Sequence, residues 1–90
     1  MTKALVGELG DVRIRINCIV SGPFHTPATA YKFETEEQRA ELKRLIPLHF
    51  IGKPSDLDGT ILYLASNKAS PYLTGSVITV DGGISWGGAR

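Results

Sequence analysis

Apolar and polar residues alternate over residues 13–20, which predicts a β-strand with one face buried. Ile19 interrupts the alternation, so we expect the strand to be covered on both faces near its end. The run Ser21-Gly22-Pro23 follows directly. Open α/β sheets bind ligands just beyond the carboxyl ends of their strands, where a glycine lets the backbone approach closely and a proline stiffens the turn. This turn is therefore a candidate ligand loop.

A helix and a second strand complete the predicted sheet motif. Ser55 is a favoured N-cap residue, and the helix that it opens is predicted to bury Leu57, Ile61, Leu64 and Ala65. The β-branched run at residues 76–80 predicts a strand, after which Asp81-Gly82-Gly83 turns the chain. Strand, helix, strand in this order forms a βαβ unit with parallel strands and a right-handed crossover. The predicted fold class is therefore α/β.

Two more helices are predicted. Residues 2–9 favour a helix that Gly10 ends in a left-handed conformation, but we find no signal for its start and expect a helix cut short. Thr35 and Gln38 form a capping box for another helix, which Pro47 stops. The segment around this helix, residues 24–53, is expected to be a mobile lid with three exposed aromatic residues: Tyr31, Phe33 and Phe50.

The composition limits the classes of function. Ninety residues form one small domain at most, with a marginal core. The single cysteine excludes an internal disulfide, and with only two histidines there is no metal-binding spacing. Ten basic and nine acidic residues, spread without blocks, create no field for nucleic acid or a membrane surface. Since there is neither a spanning apolar run nor a signal-peptide core, we expect a soluble cytoplasmic protein.

A series of short motifs follows along nearly the whole chain, at residues 2–10, 14–19, 22–27, 46–48, 51–56, 62–66 and 73–83. They include Asn17-Cys18-Ile19, Gly22-Pro23-Phe24-His25-Thr26-Pro27, Gly52-Lys53-Pro54-Ser55-Asp56 and Val80-Asp81-Gly82-Gly83. Each motif is weakly specific, but their order and spacing together resemble the carboxyl-terminal portion of a classical short-chain dehydrogenase/reductase. The resemblance implies the carboxyl-terminal part of a Rossmann-type doubly wound parallel sheet, with residues 1–90 as one partial domain.

The resemblance also implies an activity. That family moves a hydride between NAD or NADP and an alcohol or carbonyl, with a glycine-rich cofactor loop and catalytic Ser, Tyr and Lys in the parts of the protein that precede this portion. It therefore implies that the chain has no catalytic residue of its own and that its binding of the cofactor alone is doubtful. Lys3 matches a position after the Tyr-x-x-x-Lys motif, which favours an ordinary solvated lysine.

The resemblance also assigns three residues of this chain to one edge of the family's cofactor site. By resemblance, Gly22 passes beside the nicotinamide ring, the Phe24 backbone hydrogen-bonds the carboxamide, and Thr26 contacts the cofactor. A backbone donor with a neighbouring hydroxyl can fix the orientation of an amide. Ser21 stands where relatives usually have proline, so the loop should be less stiff. The alternative interpretation is that these residues form only a turn.

Three other residues have competing interpretations. His25 could act as a general base, but an exposed loop histidine is the favoured interpretation. Cys18 is expected to be a buried small hydrophobe rather than a reactive thiol. Trp86 could pack against a neighbouring subunit or belong to a disordered tail, and the sequence does not separate the two.

Two hypotheses for function follow. The first is a fragment of an NAD(P)-dependent oxidoreductase that is inactive alone. The second is an interaction module that pairs with full-length relatives through the helix at residues 55–66 and the last strand, which in that family form a two-fold subunit interface. In both cases uncovered strand edges and apolar surface predict a chain that is partly molten or oligomeric rather than a stable monomer. The substrate, and the choice between NAD and NADP, depend on residues outside this portion.

Overall fold

A computed structural model of the chain describes residues 2–87. Its elements are, in chain order, α1 (Lys3–Asp11), β1 (Cys18–Ser21), a 3₁₀ turn (Ala30–Phe33), α2 (Glu36–Leu45), a second 3₁₀ turn (Pro54–Leu57), α3 (Asp58–Ala65), β2 (Val77–Val80) and α4 (Ile84–Gly87). From α1 to β2 the order of helices and strands is the predicted one. Among these residues, no helix is both long enough and apolar enough to span a bilayer.

Strands β1 and β2 form a parallel two-stranded sheet, which confirms the predicted strand, helix, strand unit. The register pairs Cys18 with Val77 and Ser21 with Val80. Beyond this ladder, Gly22 N donates to Val80 O at 2.9 Å. The carboxyl ends of both strands therefore lie side by side, at the edge of the sheet where a ligand site is expected.

Strand β1 starts at Cys18 instead of residue 13, because the residues before it bond to the end of α3 and the loop that follows. Arg15 Nη2 donates to Leu64 O at 2.7 Å and to Asn67 Oδ1 at 2.9 Å. Arg15 Nη1 also donates to Leu73 O at 3.2 Å. Arg15, which the alternation marks only as a polar strand position, thus satisfies a carbonyl at the carboxyl end of α3 and ties this helix to β1.

Helix α1 has a start signal, so the expectation that it lacks one was wrong. Thr2 is its N-cap, and Thr2 Oγ1 accepts from Leu5 N at 3.3 Å. Gly10 does not end the helix, which continues to Asp11. Arg13, with a φ of 60°, takes the left-handed position instead, and its N–H donates to Gly10 O at 2.9 Å. This bond belongs to the Schellman pattern of helix ends, which usually places glycine where Arg13 stands.

Helix α2 follows its predicted caps. Thr35 Oγ1 accepts from Gln38 N, and Gln38 Oε1 accepts from Thr35 N, both at 3.0 Å, so the capping box is confirmed. The helix ends at Leu45, two residues before Pro47. Its mobility as part of a lid over residues 24–53 stays a prediction.

Helix α3 begins later than predicted, and its apolar side is not buried. Ser55 is not an N-cap, because it lies inside the 3₁₀ turn that precedes the helix. The Lys53 N–H at the start of that turn is satisfied by Asp56 Oδ2 at 2.9 Å instead. The predicted buried face was wrong for this chain: Leu57 and Leu64 are half-buried, whereas Ile61 and Ala65 are exposed. Within residues 2–87 no further layer of structure packs over this helix.

The fully buried apolar side chains belong to the lid segment itself. Ile46 is 1% exposed and Phe33 is 4% exposed, so the expectation that Phe33 is exposed was wrong. The Arg39 guanidinium donates to Phe33 O, which fixes the turn before α2 onto this small core. Tyr31 and Phe50 are exposed as expected.

Cys18 is exposed, which corrects the expectation of a buried thiol. The reason is that β2 is the one strand beside β1 within residues 2–87, and the side of β1 that carries Cys18 is left uncovered. Trp86 lies in α4 and is 91% exposed.

Candidate functional site

The candidate ligand loop begins where β1 and β2 come closest. A Cβ added to Gly22 would lie 2.4 Å from Asp81 Cβ and 2.7 Å from Asp81 Cα. Real Cβ atoms do not approach other atoms this closely, so the strand ends can approach this closely only because position 22 is a glycine. This close approach is made to Asp81, the residue that follows β2. The close approach of Gly22 to a ligand stays a prediction.

Phe24 presents one unused backbone donor. It forms a parallel bridge with Gly52, in which His25 N donates to Gly52 O at 2.7 Å and Gly52 N donates to Pro23 O at 3.1 Å. In such a bridge the groups of Phe24 itself point the other way. The Phe24 carbonyl accepts from Thr29 Oγ1 at 2.6 Å. The Phe24 N–H makes no hydrogen bond to any other residue in the described part of the chain.

Thr26 and Thr29 share a small hydrogen-bond network. Thr26 N donates to Thr29 Oγ1 at 3.0 Å, and the two hydroxyl oxygens are 3.1 Å apart. Thr29 N donates back to Thr26 O at 3.0 Å. These bonds close a tight turn directly after Phe24. Thr29 is a site residue that sequence reasoning missed; the one signal for it is a threonine three residues after another in a turn, which favours side-chain to backbone bonds.

The predicted site residues line one cavity. Its volume is about 530 Å³, and its walls are formed by Ser21, Gly22, Pro23, Phe24, Thr26, Thr29, Lys32, Phe33 and Leu42. The structure thus brings Gly22, Phe24 and Thr26 into the lining of one cavity, together with four residues further along the lid segment, from Thr29 to Leu42. Their role in cofactor binding stays a prediction. The lining combines three residues that carry hydroxyls and Lys32 with the apolar Phe33 and Leu42, and it includes no Asp or Glu. Such a site suits a partly apolar ligand that needs hydrogen bonds.

A smaller cavity of about 280 Å³ lies beside the first, with Phe24 on the wall of both. Its acidic residues are already engaged: Asp56 accepts from Lys53 N, and Asp81 accepts from Gly83 N at 2.8 Å. A hydrogen bond from the Ser85 side chain, with further bonds from the Gly83 and Ser85 N–H groups, lowers the pKa of Asp81. These carboxylates stabilise turns, and we assign no ligand to this cavity.

The other residues considered for catalysis, His25 and Lys3, are not part of a catalytic arrangement in the described part of the chain. His25 is exposed and meets the Phe33 ring edge-on, with the ring centroids 5.0 Å apart. Lys3 is an exposed residue of the first turn of α1. No group of three or more His, Cys, Asp or Glu side chains within residues 2–87 is placed to hold a metal ion.

Comparison with known proteins shows which proteins this chain is similar to. The family model described as enoyl-(acyl carrier protein) reductase matches residues 1–85. The curated 3beta-hydroxysteroid dehydrogenase 1 of Eggerthella lenta is 44% identical over 85 residues, which cover 94% of this chain and 32% of that protein. Among solved structures, a short-chain type dehydrogenase/reductase from Mycobacterium marinum has a TM-score of 0.81 at 39% identity, covering 94% of this chain and 32% of its own.

A second solved structure, 4-hydroxyisoleucine dehydrogenase complexed with NADH, has a TM-score of 0.84 at 34% identity and covers 96% of this chain and 35% of its own. The chain therefore spans about a third of the length of the proteins that it matches. The parallel sheet and its ligand edge define part of a Rossmann-type α/β fold. The chain belongs to the short-chain dehydrogenase/reductase family, a family of oxidoreductases, which confirms the fold class and the family that its motifs indicated.

Proposed function

We propose that residues 21–29 form the nicotinamide edge of an NAD(P) site, in an oxidoreductase that acts on an alcohol or carbonyl. The observation that carries this proposal is that Phe24, whose N–H has no acceptor within residues 2–87, and Thr26, which carries a hydroxyl, line the same cavity. A donor and a hydroxyl can hold a carboxamide in one orientation. The structural relative that was solved with NADH supports the choice of cofactor.

In this proposal each residue has a physical task. Gly22 lets the ends of β1 and β2 lie close together beside the cavity, because a side chain there would collide with Asp81. The Phe24 N–H and the Thr26 hydroxyl orient the carboxamide, while Phe33 and Leu42 keep water from the ring. When bound, the cofactor supplies or accepts the hydride. The ninety residues contain no Tyr-x-x-x-Lys pair and no glycine-rich phosphate loop, so we propose that they have no catalytic activity by themselves.

Titration of the isotopically labelled chain with NADH and with nicotinamide tests the site. Because no phosphate loop is present to hold the pyrophosphate, we expect no saturation by NADH below about 1 mM, which corresponds to roughly 4 kcal/mol of binding free energy. At high concentration, nicotinamide should shift the amide resonances of Phe24 and Thr26 first, whereas adenosine monophosphate, the control, should not. Submillimolar NADH binding, or nicotinamide shifts that avoid both residues, would contradict the proposal.

A second candidate function is that of an interaction module, and the surface of α3 favours it. Ile61, Leu62 and Tyr63 are 49%, 69% and 48% exposed, and on β2 Val77 is 62% exposed. Large apolar side chains that are exposed in this number favour a protein interface. We propose that the helix at residues 55–66 and the last strand pair with a second copy of the chain or with a full-length relative.

The oligomeric state tests this second candidate. The chain alone should elute as an oligomer at micromolar concentration, and Leu62→Lys should shift it towards monomer, because a charge on the exposed side chain opposes its burial in an interface. Ala40→Lys adds the same charge to an exposed position of α2 and should leave the oligomer intact. Light scattering after size exclusion, and native mass measurement of mixtures with a full-length relative, give the result. A monodisperse wild-type monomer that forms no mixed species would rule this candidate out.

A further inference from the structure

The Thr29 hydroxyl uses its whole hydrogen-bonding capacity inside the ligand loop. A threonine hydroxyl donates one hydrogen and accepts through two lone pairs. Thr29 Oγ1 lies 2.6 Å from Phe24 O, which can only accept, so its single hydrogen is directed there; its contact with Thr26 O is longer, at 3.3 Å. One lone pair accepts from Thr26 N at 3.0 Å. The second lone pair is left for Thr26 Oγ1, at 3.1 Å.

This arrangement fixes the direction of the Thr26 hydroxyl. Because Thr29 has no further hydrogen to give, the bond between the two hydroxyls must use the hydrogen of Thr26. The Thr26 oxygen then offers only lone pairs to a ligand in the cavity. The Phe24 N–H, which has no acceptor within residues 2–87, offers only a hydrogen. One donor and one acceptor match a primary carboxamide, whose oxygen accepts and whose NH₂ group donates. A carboxylate, which has no hydrogen, would face the Thr26 lone pairs without a bond.

We propose that Thr29 is a positioning residue that makes this site selective for a carboxamide over a carboxylate head group, and that it acts through the direction of the Thr26 hydroxyl. The inference rests on the proposed nicotinamide site. It adds to that site a selectivity between two pyridine ligands that differ only in their head group. Nicotinamide and nicotinate, which differ in this one group, are the probes for it.

Two substitutions at Thr29 distinguish the effect of its hydroxyl from the effect of its side-chain shape. Thr29→Ser keeps the hydroxyl, whereas Thr29→Val keeps the branched shape and removes the hydroxyl. In the valine variant the Thr26 hydroxyl loses its acceptor, so it becomes free to donate to a carboxylate. We expect the preference of the wild-type chain for nicotinamide over nicotinate to fall roughly tenfold in Thr29→Val, the scale of one hydrogen bond to a charged group. Thr29→Ser should retain the preference.

The measured quantity is the ratio of the two dissociation constants, taken from the resonances of Phe24 and Thr26. A loop that is only loosened by the substitution weakens both ligands and leaves the ratio unchanged. Lys32 lines the same cavity and attracts the carboxylate, but it is identical in all three chains, so its effect cancels when their ratios are compared. An unchanged ratio in Thr29→Val, or an equal loss in Thr29→Ser, would overturn the inference.

Hydrogen exchange of the Thr26 amide in the absence of ligand provides the second readout. Exchange should be faster in Thr29→Val and unchanged in Thr29→Ser, since this amide donates to the Thr29 hydroxyl. If nicotinamide binds to none of the chains while exchange changes as expected, then the proposed nicotinamide site fails and the positioning role of Thr29 stands, without its ligand selectivity. If exchange is equal in all three chains, the positioning role fails whatever the ligands do.

Discussion

The Gly22→Ala chain is expected to be less stable than the wild type by about 1–3 kcal/mol, the usual cost of forcing an extra group into a packed site. The added Cβ would lie 2.4 Å from Asp81 Cβ and 2.7 Å from Asp81 Cα. Because one of these atoms belongs to the backbone, no rotation of a side chain can relieve the contact, and the ends of β1 and β2 must separate. The Gly22 N to Val80 O bond should weaken with them. Urea unfolding followed by circular dichroism measures the loss.

Gly7→Ala is the matched control for this substitution. Gly7 lies within α1, and a Cβ there would meet nothing within 4 Å. Alanine is favoured over glycine in a helix interior by about 1 kcal/mol, so this variant should be as stable as the wild type or slightly more stable. If Gly22→Ala and Gly7→Ala had the same unfolding midpoint, the stability of the chain would not depend on a glycine at the contact between the two strand ends.

Ile46→Ala is expected to cost about 2–5 kcal/mol, the range measured for truncation of a buried isoleucine. Ile46 is 1% exposed, and its Cγ2 lies 2.6 Å from the position that a Cβ on Gly82 would occupy. It therefore joins the end of α2 to the turn after β2, and Leu48 N extends this junction by donating to Gly82 O at 3.1 Å. Loss of this contact should also loosen the part of the cavity that Phe33 and Leu42 line.

The control for this second substitution is Leu48→Ala. Leu48 is two residues further along the chain and 62% exposed, so its truncation should change the free energy of unfolding by less than about 1 kcal/mol. Unfolding midpoints of both variants, together with the Phe24 amide resonance as a reporter of the site, distinguish a local from a global effect. Equal and small losses in both variants would show that the junction at Ile46 does not hold the fold.

The sequence predicted those parts of the fold that depend on local chemistry. The capping box at Thr35, the stop at Pro47 and the parallel strand pair all follow from residue types at fixed spacing, and the structure confirms them. The family motifs were sufficient to identify the Rossmann-type fold. The start of α1 was not predicted because Thr2 has Leu5, and no Glu or Gln, three residues later, so its sequence carries no capping-box signal.

Burial was the property that the pattern predicted least well. Apolar residues at Cys18 and Ile61 show that a strand or helix has an apolar side, but they do not show whether a partner covers it. In residues 2–87 one neighbouring strand is present and no second layer lies over α3. Phe33 shows the opposite error: it was predicted to be exposed, but it is part of the small core of the lid.

The site was predictable in part. Gly22, Phe24 and Thr26 came from motif resemblance, and the structure places them in the lining of one cavity, although their contact with a cofactor stays a proposal. Thr29 could not be found in the same way. Its importance comes from side-chain to backbone bonds across three to five residues, and such bonds leave no periodic trace in the sequence.

The long connection between the two strands has a consequence for folding kinetics. Arg15 reaches α3 across 49 residues, and Asn17 Oδ1 accepts from Ser76 N across 59 residues, so the sheet exists only after segments far apart in the sequence have met. Pairings between residues so far apart in sequence slow folding, because the entropy of closing the loop must be overcome before the contacts form. The helices between the strands can form early, whereas the turn at Gly22 acquires its shape last. During synthesis, the ligand edge of this chain would therefore remain unformed until the Val77–Val80 strand had left the ribosome.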